Sequence, residues 1–190
     1  KDCVAGRLTE KFGFTRVGFA DALKEEVKTR LRRTLVEMTD LWWNAVSVAG
    51  WPGDEAAVDY VMKAKPPWLR VLLQEYGTEV RRADDSDYWT RAWWAPLCGE
   101  LVGVPPSDRR IVVPDVRFHN EAHYIKRRVP VIGPNTSYLL KVERPGFVGG
   151  THASEHGLDA WTKWDAVIVN DGTLGELWEK VDTWASSIGF

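Results

Sequence analysis

Asp115 and Arg117 follow directly on the apolar run Ile111-Val112-Val113-Pro114. An acid and a guanidinium at the end of a buried strand can hold a metal ion and a phosphate, because open α/β sheets place ligands at the carboxyl ends of their strands. A solvated turn would use the same residue types, so the segment needs support from elsewhere. Lys1 and Asp2 open a helical pattern in which Val4, Leu8 and Phe12 share a face, and a helix N-terminus beside a lysine suits an anion. A surface helix that happens to begin with lysine fits that dipeptide equally well. Asn170-Asp171-Gly172 follows the apolar run 166–169, where its backbone would either line a base pocket or turn the chain into a helix. Arg144 ends another strand ahead of Pro145-Gly146 and is a further phosphate candidate.

A different chemistry is suggested by His152-Ala153-Ser154-Glu155-His156, which matches the H-x-x-E-H pattern of inverted zinc peptidases. Two histidines four apart bind zinc only from one face of a helix, and here Gly149-Gly150 precede and Gly157 follows. No third ligand is apparent. His152 and Ser154 read better as residues that shape a loop or cap a helix.

These residues need elements to position them. A short strand is expected over 15–20, then a helix capped by Asp21 and running to about residue 39 with Leu23, Val27, Leu31 and Leu35 on one face. Pro66-Pro67 break the chain before a helical pattern over 68–82, and Asp87 is placed to cap a third helix holding Trp89, Trp93 and Trp94. Further on come a strand over 110–114, a helix over 121–128 with Asn120 as cap, strands over 138–143 and 166–169, and a helix over 174–187. Arg127 and Arg128 suit the end of their helix through its dipole. Strands alternating with helices imply a mostly parallel sheet, and the helical middle implies a lobe over its ligand edge.

Composition limits the choice of function. The 190 residues suffice for one domain with a sizeable core, and 25 Lys plus Arg against 27 Asp plus Glu give a net charge of −2, with no global attraction to nucleic acid or anionic lipid. Cys3 and Cys98 offer neither a disulfide framework nor zinc spacing, which suits a reducing compartment. The most apolar window, 41–51, is broken by Asn44 and Ser47 and is too short to span a bilayer; no signal peptide is visible. The 11 tryptophans leave open a stacking surface for single-stranded nucleic acid, although Asp84, Asp85 and Asp87 interrupt the arginines Arg81, Arg82 and Arg91.

Several separated segments together, in order, resemble the phage-type deoxynucleoside monophosphate kinases of the P-loop kinase group. Lys1-Asp2-Cys3-Val4-Ala5 is similar to the end of that family's phosphate loop, and Phe19-Ala20-Asp21-Ala22-Leu23-Lys24 to the segment after its second strand. Tyr76-Gly77-Thr78-Glu79-Val80-Arg81-Arg82 with Asp87-Tyr88-Trp89 resembles the acceptor-lobe motif, and Asp115 through Glu121 the strand-end motif. His152-Ala153-Ser154-Glu155 and Val169 through Leu174 resemble the C-terminal signatures, so the likeness covers nearly the whole chain.

The resemblance implies an α/β fold of the P-loop kinase type. This is a three-layer sandwich with a mostly parallel sheet, a single domain over 1–190, a helical acceptor-binding lobe over 40–108, and the first strand and glycine loop ahead of Lys1. It implies transfer of the γ-phosphoryl group of ATP, with Mg2+, to a deoxynucleoside monophosphate; residues 1–190 without the loop are expected to turn over weakly or not at all. Lys1 would bridge the β and γ phosphates. Asp2 would hold magnesium directly or through water, and Cys3 stands where a hydroxyl residue is commoner. Asp115 would orient magnesium-bound water, Arg117 and Arg144 would meet phosphate, and Asn170, Asp171 and Gly172 would line the adenine pocket. On the acceptor side Lys24 and Arg82 would hold the monophosphate and Gln74 would read a base edge. Trp89 would stack on the base or else belong to the core, and Asp21 suits a helix cap better than a base. The resemblance implies no stable nucleic-acid or membrane partner, leaves a homodimer open, and places the protein in the cytoplasm, that of the host if phage-encoded. The alternatives are a non-catalytic nucleotide or single-stranded nucleic-acid binding domain and, behind it, a zinc metallopeptidase.

Overall fold

Val4, Leu8 and Phe12 recur at helical spacing, and in the computed structural model they form the buried face of α1 (Asp2–Phe12). Asp2 in the first turn and Lys11 in the last suit the helix dipole, and Gly13 ends the helix at φ 70°, the left-handed conformation that glycine adopts without penalty. The structure describes residues 1–42, 54–105, 108–128, 137–147 and 150–190. Residues 43–51 of the apolar window, the side chains of Leu35 and Trp42, and Gly149 lie outside what is described. No described helix is long and apolar enough to cross a membrane.

The chain divides into two units, Lys1–Phe19 with Thr90–Phe190, and Ala20–Trp89. The first is mixed α/β. It contains β1 (Thr15–Arg16), and its element α2 (Phe19–Trp42) begins at Phe19 before running into the second unit. The second unit continues with α3 (Asp54–Ala64), α4 (Pro67–Glu75) and a π-helical turn, Tyr76–Arg82. The first unit resumes within α5 (Tyr88–Glu100) and adds β2 (Ile111–Val112), α6 (His119–Arg128), β3 (Leu140–Glu143), α7 (Ala153–His156), β4 (Ala166–Val169) and α8 (Leu174–Ser187). β1 pairs with β2 and β3 with β4, both in parallel, with Leu140 opposite Ala166 and Glu143 opposite Val169.

Several elements depart from the sequence expectation for local reasons. The strand expected over 15–20 stops at Arg16 because the Phe19 amide is taken by the Asp115 carboxylate at 2.9 Å and the helix starts there. Asp21 is therefore a first-turn acid of α2 rather than its cap, and it pairs with Lys24 at 2.9 Å. The strand expected over 138–143 starts at Leu140, since the Leu139 amide donates to the Asp165 side chain at 2.5 Å. The strand expected over 110–114 is reduced to Ile111–Val112. α6 begins at His119, so Asn120 lies within its first turn and is not the cap. The 68–82 helix ends as α-helix at Glu75 and continues with the wider π winding.

The two ladders leave two strand edges on one cavity. In a parallel ladder a residue directs its N–H and C=O to one neighbour and the next residue directs its own to the other. The carbonyls of Arg110 and Val112 accept from Thr15 and Val17, so Ile111 and Val113 face away from β1. Those of Leu139 and Glu143 accept from Asp165 and Asn170, so Leu140 and Val142 face away from β4. All four residues line the same largely apolar cavity of about 570 Å3, with Lys1, Val4 and Leu8 of α1 on its wall.

α1 and α8 close the core beside the β3–β4 ladder. Val4, Leu8 and Phe12 pack on Ile168, Leu177, Val181 and Ala185, and a capping box between Thr173 and Glu176 fixes where α8 begins. Asp182 accepts from Arg7 at 2.9 and 2.6 Å and from Lys11 at 2.7 Å, and these bonds, Arg7 foremost, hold its carboxyl well below the usual carboxylate range. A depressed carboxyl stabilises the fold above its unfolded pKa and loses that contribution as pH falls through the folded value, so the clamp acts fully above about pH 5. Asp182→Asn should lower the melting temperature at neutral pH, and the gap to the parent should close towards roughly pH 2. A gap independent of pH in thermal melts would assign the effect to packing instead.

Candidate active site

The end of β2 delivers Asp115 and Arg117 into a turn that is held by carboxylates. Buried Glu121, in the first turn of α6, accepts the backbone N–H of Arg117 at 2.7 Å and of Phe118 at 3.1 Å. Gly157 closes on the same turn, where a Cβ would come within 2.4 Å of the Arg117 carbonyl oxygen, so only glycine leaves room. The guanidinium is fixed as well. Its Nη1 donates to Glu155 Oε1 at 2.6 Å and lies 3.2 Å from Ser154 Oγ. Asp115 Oδ1 accepts from the Phe19 amide, which orients that carboxylate at the first residue of α2.

Lys1, Val116, Arg117, Ser154, Glu155 and Leu158 line one pocket of about 140 Å3. Burial of the ammonium among these groups, then the neighbouring Arg117 cation, push Lys1 below the ordinary lysine value, while Asp2, Glu155 and Asp115 pull in the opposite direction. Asp2, Asp115 and Arg117, singled out from sequence together with Lys1, are thus each near enough to act on Lys1 electrostatically. Arg144 is exposed, and neither it nor Asn170, Asp171 and Gly172 line either Lys1 cavity. Asn170 extends the β3–β4 ladder through the Glu143 carbonyl at 2.7 Å, and Lys180 holds Asp171 at 2.5 Å and the Val169 carbonyl at 2.9 Å. Cys3 is exposed.

The zinc-like motif serves another purpose. His152 caps the four-residue α7 by accepting from the Ser154 amide, and His156 places its two ring nitrogens 2.8 Å from Asp159 Oδ2 and 2.8 Å from the Gly150 carbonyl. Both partners are acceptors, which favours the protonated ring, and Asp159 foremost raises its pKa. A zinc ligand must instead be neutral. Among the described residues no group of three or more His, Cys, Asp or Glu could hold a metal ion by itself.

Within the Ala20–Trp89 unit, Lys24 pairs with Asp21, Gln74 is half-buried, and Arg82 donates to the Ser86 carbonyl at 3.2 Å. Trp89 is buried, donates to the Gly77 carbonyl at 2.9 Å and packs edge-on against Tyr88, which ties its ring to the core. The most connected polar group there is one that sequence reasoning missed. Glu26 accepts from Tyr76 at 2.5 Å, from Tyr88 at 2.8 Å, and from Arg81 Nε at 2.9 Å with Arg81 Nη2 also bonded. Burial alone would raise its pKa, yet these donors outweigh burial and hold it below the usual range.

The family model described as deoxynucleotide monophosphate kinase matches residues 21–181. The chain belongs to this deoxynucleotide monophosphate kinase family. A protein of Acanthamoeba polyphaga mimivirus named "Putative deoxynucleotide monophosphate kinase" is 29% identical over 194 aligned positions, covering 95% of this chain and 88% of that protein. No solved structure matches the chain. Glu121→Leu leaves two backbone donors without their carboxylate and should destabilise the fold by on the order of 2 kcal/mol in denaturant titrations. A loss below about 0.5 kcal/mol would show that water replaces the carboxylate without penalty.

Proposed function

We propose that the protein transfers the γ-phosphoryl group of ATP to a deoxynucleoside monophosphate, giving the diphosphate. The observation that carries this reading is the meeting of Lys1 and Arg117 on one small pocket, where two cations lower each other's stability and an anion would relieve both. Phosphoryl transfer asks mainly for alignment and for neutralisation of crowded oxygens, which such a pair supplies. Lys1 offers a point charge and Arg117 a planar fork. Glu155 Oε1 accepts from Arg117 Nη1 at 2.6 Å, so a phosphate binds there by replacing one charge-assisted acceptor with another.

Magnesium fits this donor set in a restricted way. Mg2+ is commonly held by one or two carboxylates together with substrate phosphates rather than by a protein cage, and Asp2 and Asp115 lie beside Lys1, with Glu155 bonded to Arg117. The ion would supply charge neutralisation on the phosphates. Arg144, Asn170, Asp171 and Gly172 stay assigned to the nucleotide of ATP. Asp21, Lys24, Gln74, Arg82 and Trp89, in the other unit, are assigned to the acceptor, Trp89 through packing of that unit.

The fold of a P-loop kinase is part of the same proposal. The unpaired edges at Ile111 and Val113 and at Leu140 and Val142 flank a cavity with apolar walls, which suits one further parallel strand that would join both ladders into one sheet. Residues 40–108 are assigned to a helical acceptor lobe within one domain. The single-stranded nucleic-acid reading is weaker, since Trp89, Trp93 and Trp161 are buried and the net charge is −2.

Incubating the native protein with ATP, Mg2+ and each deoxynucleoside monophosphate should yield the diphosphate, and no product with any acceptor would refute the assignment. Arg117→Lys keeps the charge but loses the fork, and it should lower turnover by on the order of tenfold; unchanged turnover removes Arg117 from the site. The strand proposal makes a separate prediction. In hydrogen exchange on the native protein, the amides of Ile111, Val113, Leu140 and Val142 should be protected like those of a central strand, and exchange at the rate of open loops would exclude a strand between them.

A further inference from the structure

His119 and His123 stand four residues apart, and both lie inside the ten-residue helix α6. Residues at that spacing sit one above the other on a helix, with Cβ atoms about 5–6 Å apart. The two imidazoles share a face of α6 because both meet the same indole, that of Trp161, with ring centroids 5.4 Å away for His119 and 4.9 Å for His123. Both contacts are edge-on, at 87° and 72°. Trp161 is itself fixed: it is buried with Ala122 and Leu139, and Trp164 meets it edge-on. Two side chains that would otherwise sample several rotamers are therefore ordered before any ligand arrives.

Their ring nitrogens are available. Of the four histidines in the chain, His152 shares Nδ1 with Ser154, and His156 engages both nitrogens, with Asp159 and Gly150. The side chains of His119 and His123 make no hydrogen bond among the described residues, and both residues are exposed. The pair that imitates a zinc motif in sequence is thus committed to holding a loop, while the pair on α6 meets solvent from one face of a regular helix.

Charge at this end of α6 permits a cation. A helix N-terminus carries partial positive charge, but Glu121 lies in the same turn, and its carboxylate takes the Arg117 and Phe118 amides and offsets that charge. Arg127, one turn beyond His123, is exposed, so solvent screens its guanidinium. Neutral imidazole suits Zn2+, Ni2+ and Cu2+, whereas Mg2+ takes oxygen ligands.

We infer that His119 and His123 form a two-nitrogen site for a divalent transition-metal ion, Zn2+ or its Ni2+ and Cu2+ analogues, with water completing the coordination. Two protein ligands make an open, exchangeable site rather than a closed structural one. The ion clips the first turn of α6, the turn whose Glu121 holds the backbone of Arg117. Occupancy therefore stabilises the strand-end turn by mass action, since the ion binds the ordered pair of the folded state in preference to the unfolded chain. The site is separate from the oxygen-bound magnesium of the proposed reaction and does not depend on that reading.

The test uses the native protein, untagged and freed of metal with a chelator, titrated calorimetrically with Zn2+, Ni2+, Cu2+ and Mg2+ at mildly alkaline pH, where imidazole is neutral. Zn2+, Ni2+ and Cu2+ should each bind, Cu2+ tightest, and an excess of Mg2+ should not displace them. His119→Gln and His123→Gln each remove one ligand and should weaken that binding by on the order of tenfold or more, because even an outer partner of a metal ligand is worth roughly ten- to a hundredfold. Zn2+ should also raise the melting temperature of the parent and leave that of either variant unchanged. Electron paramagnetic resonance of the parent's Cu2+ complex needs no variant and should show two imidazole nitrogens on one copper. Absence of binding by all three transition ions, affinities unchanged in both variants, or a copper spectrum with fewer than two imidazole nitrogens refutes the inference. No nucleotide enters these measurements, so their outcome is independent of whether the parent turns over.

Discussion

The hydrogen bond from the Phe19 amide to the Asp115 carboxylate fixes the geometry on which the rest of the first unit depends. It ends the extended path of β1, starts α2, and points the acid after β2 at a helix N-terminus, where the dipole favours negative charge. With Asp115 committed, the chain beyond it is placed by the next carboxylate, Glu121, which gathers the amides of Arg117 and Phe118. Two acids thus fix the backbone on either side of Val116, and the Arg117 side chain extends from a turn with little freedom. A guanidinium on a mobile loop would have to be ordered when its ligand binds; here that ordering belongs to folding.

Side-chain carboxylates on backbone amides recur through the first unit and explain why its strands are short. Asp165 takes the Leu139 amide ahead of β3, and Glu176 takes the Thr173 amide at the start of α8. The first removes a donor from a ladder and the second caps a helix, each by giving the amide a charged acceptor that ends the preceding element at a defined residue. The ladders that result are two and four residues long, too short to stand alone, and their stability comes from α1 and α8 packed beside them. The Arg7 and Lys11 clamp on Asp182 sets the register of those two helices.

This pattern also marks what could be read from sequence. α1, β4 and α8 were legible nearly to the residue: Val4, Leu8 and Phe12 give a clear helical period, 166–169 is an uninterrupted apolar run, and the helix expected over 174–187 has those bounds. The strand ends were not, since Phe19 and Leu139 are diverted by acids 96 and 26 residues away in sequence. Lys1, Asp2, Asp115 and Arg117 were legible as a group only through their order along the chain. Glu155 lay hidden in a motif that imitates zinc chemistry, and Glu121 looked like an ordinary first-turn acid until its burial was seen. Glu26 had no signal at all: a glutamate on a charged helix looks solvated, and its partners lie 50 to 62 residues away.

Two arginines, one in each unit, are held by one device, a glutamate that binds the guanidinium. Glu155 holds Arg117 in the first unit and Glu26 holds Arg81 in the second, each through a short, charge-assisted contact. The environments differ in a way that matters chemically. Arg117 has only Glu155 and Ser154 at its Nη1, and Lys1 adds a second positive charge to the same pocket, so an arriving anion competes directly with Glu155. Arg81 gives Nε and Nη2 to Glu26, with tyrosine hydroxyls completing that carboxylate, so this pair is tied in from several sides. A group that must accept and release a phosphoryl-bearing ligand benefits from an exchangeable carboxylate. The contrast between the two glutamates follows from the number of donors each receives: Glu26 from two tyrosines and an arginine, Glu155 from the Arg117 Nη1.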